Sequence, residues 1–228
     1  SPEKRKSLSE NLLDKIVTIY IDDLIIYSSS PEEHAKHLKQ VFERLHEYGL
    51  FIQSPKAFYA QTEVEYLGHM VSGNGISVQD EKVATIQDWP MLTEVTHIRQ
   101  FLGLSGFYRK FIEGYAKIAK PLSNLTKKTE GPFEMNKEAV EAFETLKKAM
   151  TSAPVLAIPD PARGKFHIHC DACEYGLGAT LSQEGQDGKM HPVSFISRVL
   201  KPSEVRKYQL TKCIYDLELA GLIYAVEK

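Results

Sequence analysis

At 228 residues, with 43% hydrophobic and 25% charged side chains, the chain is long enough for one large domain or two small ones, and its composition excludes a disordered tail. A net charge of −2 excludes a global field that draws in nucleic acid, so any basic surface has to be local. No run approaches the ~20 apolar residues of a membrane span. The polar start, residues 1–10, lacks the apolar segment of a signal peptide, and three cysteines without framework spacing fit a reducing compartment.

Residues 15–27 set two β-branched and aromatic runs around Asp22-Asp23, which predicts a hairpin with an acidic turn. Ser30-Pro31-Glu32-Glu33 then supplies an N-cap, a proline at the first helical position and a capping-box glutamate. Ala35, Leu38, Val41, Phe42 and Leu45 follow at helical spacing until Gly49 ends the helix. A strand is predicted over 64–71, followed by the turn Ser72-Gly73-Asn74-Gly75. Next come a short helix over 80–89 stopped by Pro90 and an aromatic-rich helical pair over 95–125, broken near Gly114. After a loop at 130–132, a helix over 137–151 carries Ala139, Ala142, Phe143 and Leu146 on one face.

From Pro154 the pattern changes to strands over 166–169 (leading to Asp171), 176–182 and 193–197. A turn is expected within 185–188, and a last helix over 217–226. The change of pattern places a domain boundary near 150–160. Cys170 and Cys173 form one C-x-x-C in a strand-like run with no second pair, and are read as coincidental rather than as a zinc or redox site.

The adjacent carboxylates Asp22 and Asp23 repel each other on an apolar hairpin, and a divalent metal removes that cost. Carboxylates holding two magnesium ions clamp the attacking and leaving oxygens in phosphoryl transfer. Taken alone, the pair reads equally well as a solvated turn. Between His97 and Lys128 stand Arg99, Arg109, Lys110, Lys117, Lys120, Lys127 and Lys128 against Glu113, a local excess of +6. Interleaved with Phe107, Tyr108 and Tyr115, these cations suit a surface that tracks phosphates, while the aromatics themselves read as core.

Tyr20-Ile21-Asp22-Asp23 matches the Tyr-x-Asp-Asp motif of reverse transcriptases, and further motifs follow in order. They are Glu65-Tyr66-Leu67-Gly68-His69, Trp89-Pro90, Arg99-Gln100-Phe101-Leu102-Gly103-Leu104, Phe107-Tyr108-Arg109-Lys110-Phe111 and Ser152-Ala153-Pro154-Val155-Leu156. Over residues 11–227 the chain thereby resembles the pol polyprotein of gypsy-type long-terminal-repeat retrotransposons. The resemblance implies an α+β fold: the C-terminal part of a polymerase palm (1–92), a helical thumb or connection (93–152), and a partial ribonuclease H-like mixed sheet with helix (153–228).

On that resemblance Asp22 and Asp23 are catalytic metal ligands, and Tyr20 packs near the primer end. Leu67-Gly68-His69 is the strand that grips the primer, while Arg99, Arg109 and Lys110 lie on the thumb that holds the duplex. Cys170-Asp171-Ala172 resembles the first ribonuclease H strand and Asp216-Leu217-Glu218 the start of its first helix, which makes Asp171 and Glu218 catalytic metal ligands there.

The implied cofactor is Mg2+ or Mn2+. The implied partners are an RNA template, a DNA primer, an RNA–DNA hybrid and the remainder of the polyprotein, with no membrane. The implied location is intracellular, either cytoplasmic in a virus-like particle or nuclear. The family's third palm aspartate and later ribonuclease H carboxylates find no counterpart in these residues, so both sites are expected to be half built and the chain inactive alone. The alternative is a non-catalytic nucleic-acid-binding remnant of a retroelement.

Overall fold

The computed structural model describes residues 16–20, 23–52, 57–127, 132–173, 176–211 and 214–228. They fall into two compact units, Ser1–Gly73 and Asn74–Lys228.

In the first unit, β1 (Val17–Tyr20) pairs antiparallel with β2 (Asp23–Ile26), Val17 opposite Ile26 and Tyr20 opposite Asp23. This is the expected hairpin, and Tyr27 N–H extends it by donating to the Ile16 carbonyl at 3.0 Å. Helix α1 (Pro31–Glu47) starts where the sequence places it: Ser30 is extended, and its hydroxyl accepts from Glu33 N–H at 3.2 Å. The Glu33 carboxylate reaches back to Ser29 N–H at 2.6 Å, one residue beyond the reciprocal capping-box partner. At the other end Gly49 adopts φ 63°, its N–H bonds to the His46 carbonyl, and Leu50 N–H bonds to the Leu45 carbonyl. Those two bonds make a Schellman cap, which requires the left-handed residue that glycine supplies without strain.

The buried stripe of α1 is rotated from the expected one. Val41 is fully buried, and His34, His37, Leu38 and Leu45 are half-buried, whereas Ala35 and Phe42 are exposed. The reason is polar. Ser28 Oγ lies 3.2 Å from His34 Nδ1 and 2.7 Å from His37 Nδ1, and the Tyr27 carbonyl accepts from the latter at 3.1 Å. The imidazoles therefore face the loop that leaves β2.

The single strand expected over 64–71 is two. β3 (Glu63–Tyr66) and β4 (His69–Ser72) pair antiparallel across the turn Leu67-Gly68. Both turn residues have positive φ, 49° and 75°, the requirement of a type I′ hairpin turn. A leucine at the first position hides that turn from sequence reading, which looks for Asn or Asp there.

In the second unit, β5 (Gly75–Val78) is joined to Leu156 by two backbone hydrogen bonds of 2.8 Å through Ile76. Helices α2 (Asp80–Gln87), α3 (Val95–Phe107), α4 (Tyr115–Leu125) and α5 (Lys137–Thr151) follow, with a 3-10 turn at Arg109–Phe111. Gly114, at φ 65°, makes the expected break, and the Asn136 side chain caps α5 through Ala139 N–H at 2.9 Å. Their core is aromatic and aliphatic: Phe101 meets Trp89 and Phe143 edge-on at 5.7 and 4.7 Å, and Tyr108, Phe111, Leu122 and Leu146 are buried around them.

The antiparallel strands β6 (Phe166–Cys173), β7 (Gly176–Glu184) and β8 (Met190–Val199) lie in that order, each longer than the sequence pattern suggested. β8 docks on the helices: Phe195 packs against their core, and Ser197 Oγ accepts from Ala116 N–H at 2.9 Å. Helix α6 (Pro202–Thr211) was not expected, and α7 (Ile214–Val226) begins ahead of the anticipated 217. Leu177, Leu200 and Leu217 form a second core beneath these two helices.

Candidate nucleic-acid and metal-binding sites

The β1–β2 hairpin presents Tyr20 and Asp23 directly opposite each other at its tip. Asp23 is exposed and Tyr20 is 53% exposed, so both are open to a ligand from solvent. Asp22 lies outside the described residues. Tyr66, at the end of β3, belongs to the same neighbourhood although sequence reading gave it no role. Its hydroxyl is buried with no hydrogen-bond partner among the described residues. Burial first, then the Asp23 carboxylate, pushes its ionisation up. The one signal in the sequence was its place immediately before Leu67-Gly68.

Leu67 and Gly68 are the turn itself rather than strand residues. His69 opens β4, and its Nδ1–H donates to the Leu67 carbonyl at 2.8 Å, bracing the turn. The trio Leu67-Gly68-His69 is thus the tip of a hairpin, with a leucine held in a left-handed conformation that costs most residues about 1 kcal/mol.

The basic residues of the helical segment differ in setting. Arg99 is exposed on α3 and donates to the Thr126 carbonyl at 3.2 Å, capping the C-terminal end of α4 with positive charge. Arg109 is exposed on the 3-10 turn. Lys110 beside it is half-buried, with its ammonium 5.3 Å from the centre of the Phe111 ring, and burial pushes its ionisation down. Tyr108 and Phe111 are core, as expected, while Phe107 is exposed.

Asp171 on β6 and Glu218 on α7 border one open concavity of about 520 Å³. Ile168, Cys170, Tyr215 and Leu219 complete most of its wall. The helix crosses close to the strand: a Cβ on Gly221 would sit 3.8 Å from the Cβ atoms of both Cys170 and Ala172. Side chains alternate along a strand, so Cys170 and Ala172 face the helix, and Asp171 between them also borders the concavity. Cys170 and Cys173 are free; Cys173 S–H lies 3.6 Å from the Gly176 carbonyl. Three residues apart on one strand, the two thiols point to opposite faces and do not converge on one ion.

Exposed carboxylate oxygens are the donors that Mg2+ and Mn2+ take. The pair bordering the concavity fits such an ion in ligand type. Among the described residues, however, no group of three or more His, Cys, Asp or Glu converges as a complete cation cage. No helix among the described residues is long and apolar enough to cross a membrane.

Residues 4–71 match the family described as reverse transcriptase (RNA-dependent DNA polymerase), and residues 135–228 match the RNase H-like domain found in reverse transcriptase. The chain is 39% identical over 216 residues to the retrovirus-related Pol polyprotein from transposon 297 of Drosophila melanogaster, covering 95% of this chain and 19% of that one. It is 33% identical over 226 residues to the Pol polyprotein from transposon gypsy of the same organism, covering 95% and 21%. The chain therefore spans about a fifth of the length of these relatives. Its fold is similar to that of a foamy viral protease-reverse transcriptase solved with an RNA/DNA hybrid, at TM-score 0.81 and 22% identity over 99% of this chain and 29% of that one. With the same protein solved with dsDNA, the TM-score is 0.78 at 24% identity, over 99% of this chain and 46% of that one.

Proposed function

We propose that this chain, a gypsy-type retrotransposon Pol relative with a reverse transcriptase part followed by an RNase H-like part, contributes to RNA-directed DNA synthesis and to RNA cleavage in RNA–DNA hybrids, and performs neither reaction by itself. The observation that carries the reading is the meeting of a strand carboxylate, Asp171, and a helix carboxylate, Glu218, on one open concavity. Residues 1–92 are assigned to the palm, 93–152 to the thumb or connection, and 153–228 to the RNase H-like part.

In this reading Asp22 and Asp23 hold divalent metal for polymerisation, and Asp171 with Glu218 hold it for hydrolysis. Mg2+ or Mn2+, when bound, supplies charge neutralisation at the attacking and leaving oxygens. Tyr20, exposed at the hairpin tip, abuts the primer end. Leu67, Gly68 and His69 present a braced turn to the primer backbone, and Arg99, Arg109 and Lys110 contact phosphates of the duplex.

The ligand count supports inactivity in isolation. A two-metal centre needs several converging carboxylates, and among the described residues no group of three or more His, Cys, Asp or Glu converges. The test is Mg2+-dependent primer extension and hybrid cleavage by the purified chain. The expected rate for both is background. Turnover abolished by Asp171→Asn would refute the proposed inactivity.

The local excess of +6 between His97 and Lys128 supports a second reading, a non-catalytic nucleic-acid binder. About four phosphate contacts give a log–log salt slope of roughly −3 to −4. Affinity independent of salt would exclude that reading.

A further inference from the structure

Helix α1 turns two histidines towards one serine hydroxyl. Ser28 Oγ lies 2.7 Å from His37 Nδ1 and 3.2 Å from His34 Nδ1, and all three side chains are half-buried. Ser28 stands in the loop that leaves β2, a few residues after Asp23. These contacts all fall between residues 27 and 37, so they need no segment outside that stretch.

The hydrogens on these atoms follow from what each neighbour can accept. The Tyr27 carbonyl lies 3.1 Å from His37 Nδ1 and offers only lone pairs, so that nitrogen carries the hydrogen. The hydrogen is shared between the Tyr27 carbonyl and Ser28 Oγ in a three-centre bond. With an N–H already pointing at it, the Ser28 hydroxyl turns its own hydrogen to His34 Nδ1, which is therefore the bare nitrogen of that ring. On the far side of His37, Glu33 Oε1 stands 3.8 Å from Nε2, and the other Glu33 oxygen accepts from Ser29 N–H at 2.6 Å. A proton arriving at Nε2 meets that carboxylate, and Nδ1 keeps its hydrogen in either state.

We propose that His37, Ser28 and His34 form a one-way hydrogen-bond relay, with the two histidines in opposite tautomers, that fastens the exit of β2 to α1 and positions the hairpin tip carrying Asp23. Position matters there because of leverage. Asp23 stands at the far end of β2 from Tyr27, about 13 Å away at about 3.3 Å per residue. A tilt of about 10° at the exit moves the tip by about 2 Å, and a misplacement of about 1 Å can cost a reaction about 100-fold. Tyr27 N–H already ties the exit to β1 through the Ile16 carbonyl at 3.0 Å, and the relay holds the same point from the helix side. The consequence for catalysis rests on the proposed role of Asp23 as a metal ligand; the relay and its hold on the hairpin do not.

The experiment is nuclear magnetic resonance on the full 228-residue chain, with no metal added, so that a failure of the metal reading leaves its outcomes untouched. Long-range 1H–15N correlation at pH 8 reads which ring nitrogen carries the hydrogen. His37 is expected to carry it on Nδ1 and His34 on Nε2. Two histidines in the same tautomer, or each in the reverse one, overturn the proposal.

Amide exchange then measures the hold on the hairpin. Because Tyr27 bonds to Ile16, the next hydrogen-bonded pair of the ladder is Thr18 with Ile25, and their amides report on it. Val71 on β4, in the same compact unit, is the reference. Ser28→Ala is expected to speed exchange at Thr18 and Ile25 at least fivefold and to leave Val71 within twofold. Ser28→Thr keeps the hydroxyl and is expected to stay within twofold of the wild type at all three. Unchanged exchange at Thr18 and Ile25 in Ser28→Ala overturns the proposal. So does equal acceleration at Val71, which marks a general loosening, or equal acceleration by Ser28→Thr, which removes the hydroxyl from the account.

Discussion

The Arg198–Glu204 pair holds the C-terminal helices onto the sheet, and its loss has a calculable size. Arg198, near the end of β8, donates two hydrogen bonds of 2.7 Å to the two Glu204 oxygens, and Glu204 also accepts from Lys201 N–H at 2.6 Å. The guanidinium lies 5.1 Å from the centre of the Tyr224 ring on α7, so one cation joins β8, α6 and α7. The hydrogen bonds from Arg198 are the main reason the Glu204 carboxyl falls from an ordinary 4.5 to about 2. At about 1.4 kcal/mol per tenfold change that displacement corresponds to a ceiling of about 3 kcal/mol.

Both side chains keep over a quarter of their surface in water, at 26% and 30% exposed, and screening there reduces the figure to about 1–2 kcal/mol. Glu204→Gln keeps the shape and removes the charge. In urea melts at pH 7 it is expected to lose about 1–2 kcal/mol, or roughly 3–6 °C in Tm for a unit of this size. The folded-state carboxyl titrates below the unfolded one, so the contribution is complete above pH 4.5 and drains away as pH falls towards about 2. The gap between wild type and variant should therefore shrink by more than half at pH 3. A gap under about 0.3 kcal/mol at pH 7, or one unchanged at pH 3, would show that the pair does not hold these helices.

Three other perturbations have clear outcomes. Gly75 has φ 133°, and an added Cβ would overlap the Leu156 carbonyl oxygen and approach Val155 Cγ1 to 2.9 Å; Gly75→Ala should cost about 2–4 kcal/mol in thermal melts, and a loss below 1 would contradict the Ile76–Leu156 bridge. Tyr66→Phe removes a buried, unpaired hydroxyl and should be neutral or stabilising by up to about 1 kcal/mol, whereas a loss of that size would reveal a partner for the hydroxyl. Replacing Arg109 and Lys110 together by Ala should weaken RNA–DNA hybrid binding and reduce the salt slope by about 2, and an unchanged slope would remove these residues from the interface.

The elements read best from sequence were those with local chemistry at their ends. Ser30 and Gly49 bracket α1 and Gly114 breaks the helical pair, because caps and left-handed residues act within one turn. The β3–β4 hairpin was hidden because Leu67 occupies a position that sequence rules reserve for Asn, Asp or Gly. Helix α6 was hidden because its fixings, Arg198 on Glu204 and the packing of Val205 and Tyr208 against Leu177 and Leu200, are tertiary. The face of α1 was misread because His34 and His37 turn inward to Ser28, and periodicity of apolar residues carries no record of such polar contacts.

For the candidate sites, the sequence singled out Asp23, Asp171 and Glu218 through their motifs, and the last two border one concavity. It could not give the concavity that Asp171 and Glu218 share, which depends on how α7 crosses β6 at Gly221. Nor could it give Tyr66, whose relation to Asp23 spans two hairpins.

The central claim is that Asp171 and Glu218 act on one divalent cation. Its most direct test is Mn2+ titration of the purified chain, read by water-proton relaxation, for wild type, Asp171→Asn and Glu218→Gln. The account predicts a weak site in the wild type whose affinity falls at least tenfold in each variant. Equal Mn2+ binding by all three proteins would contradict it and leave the concavity without a metal-holding role.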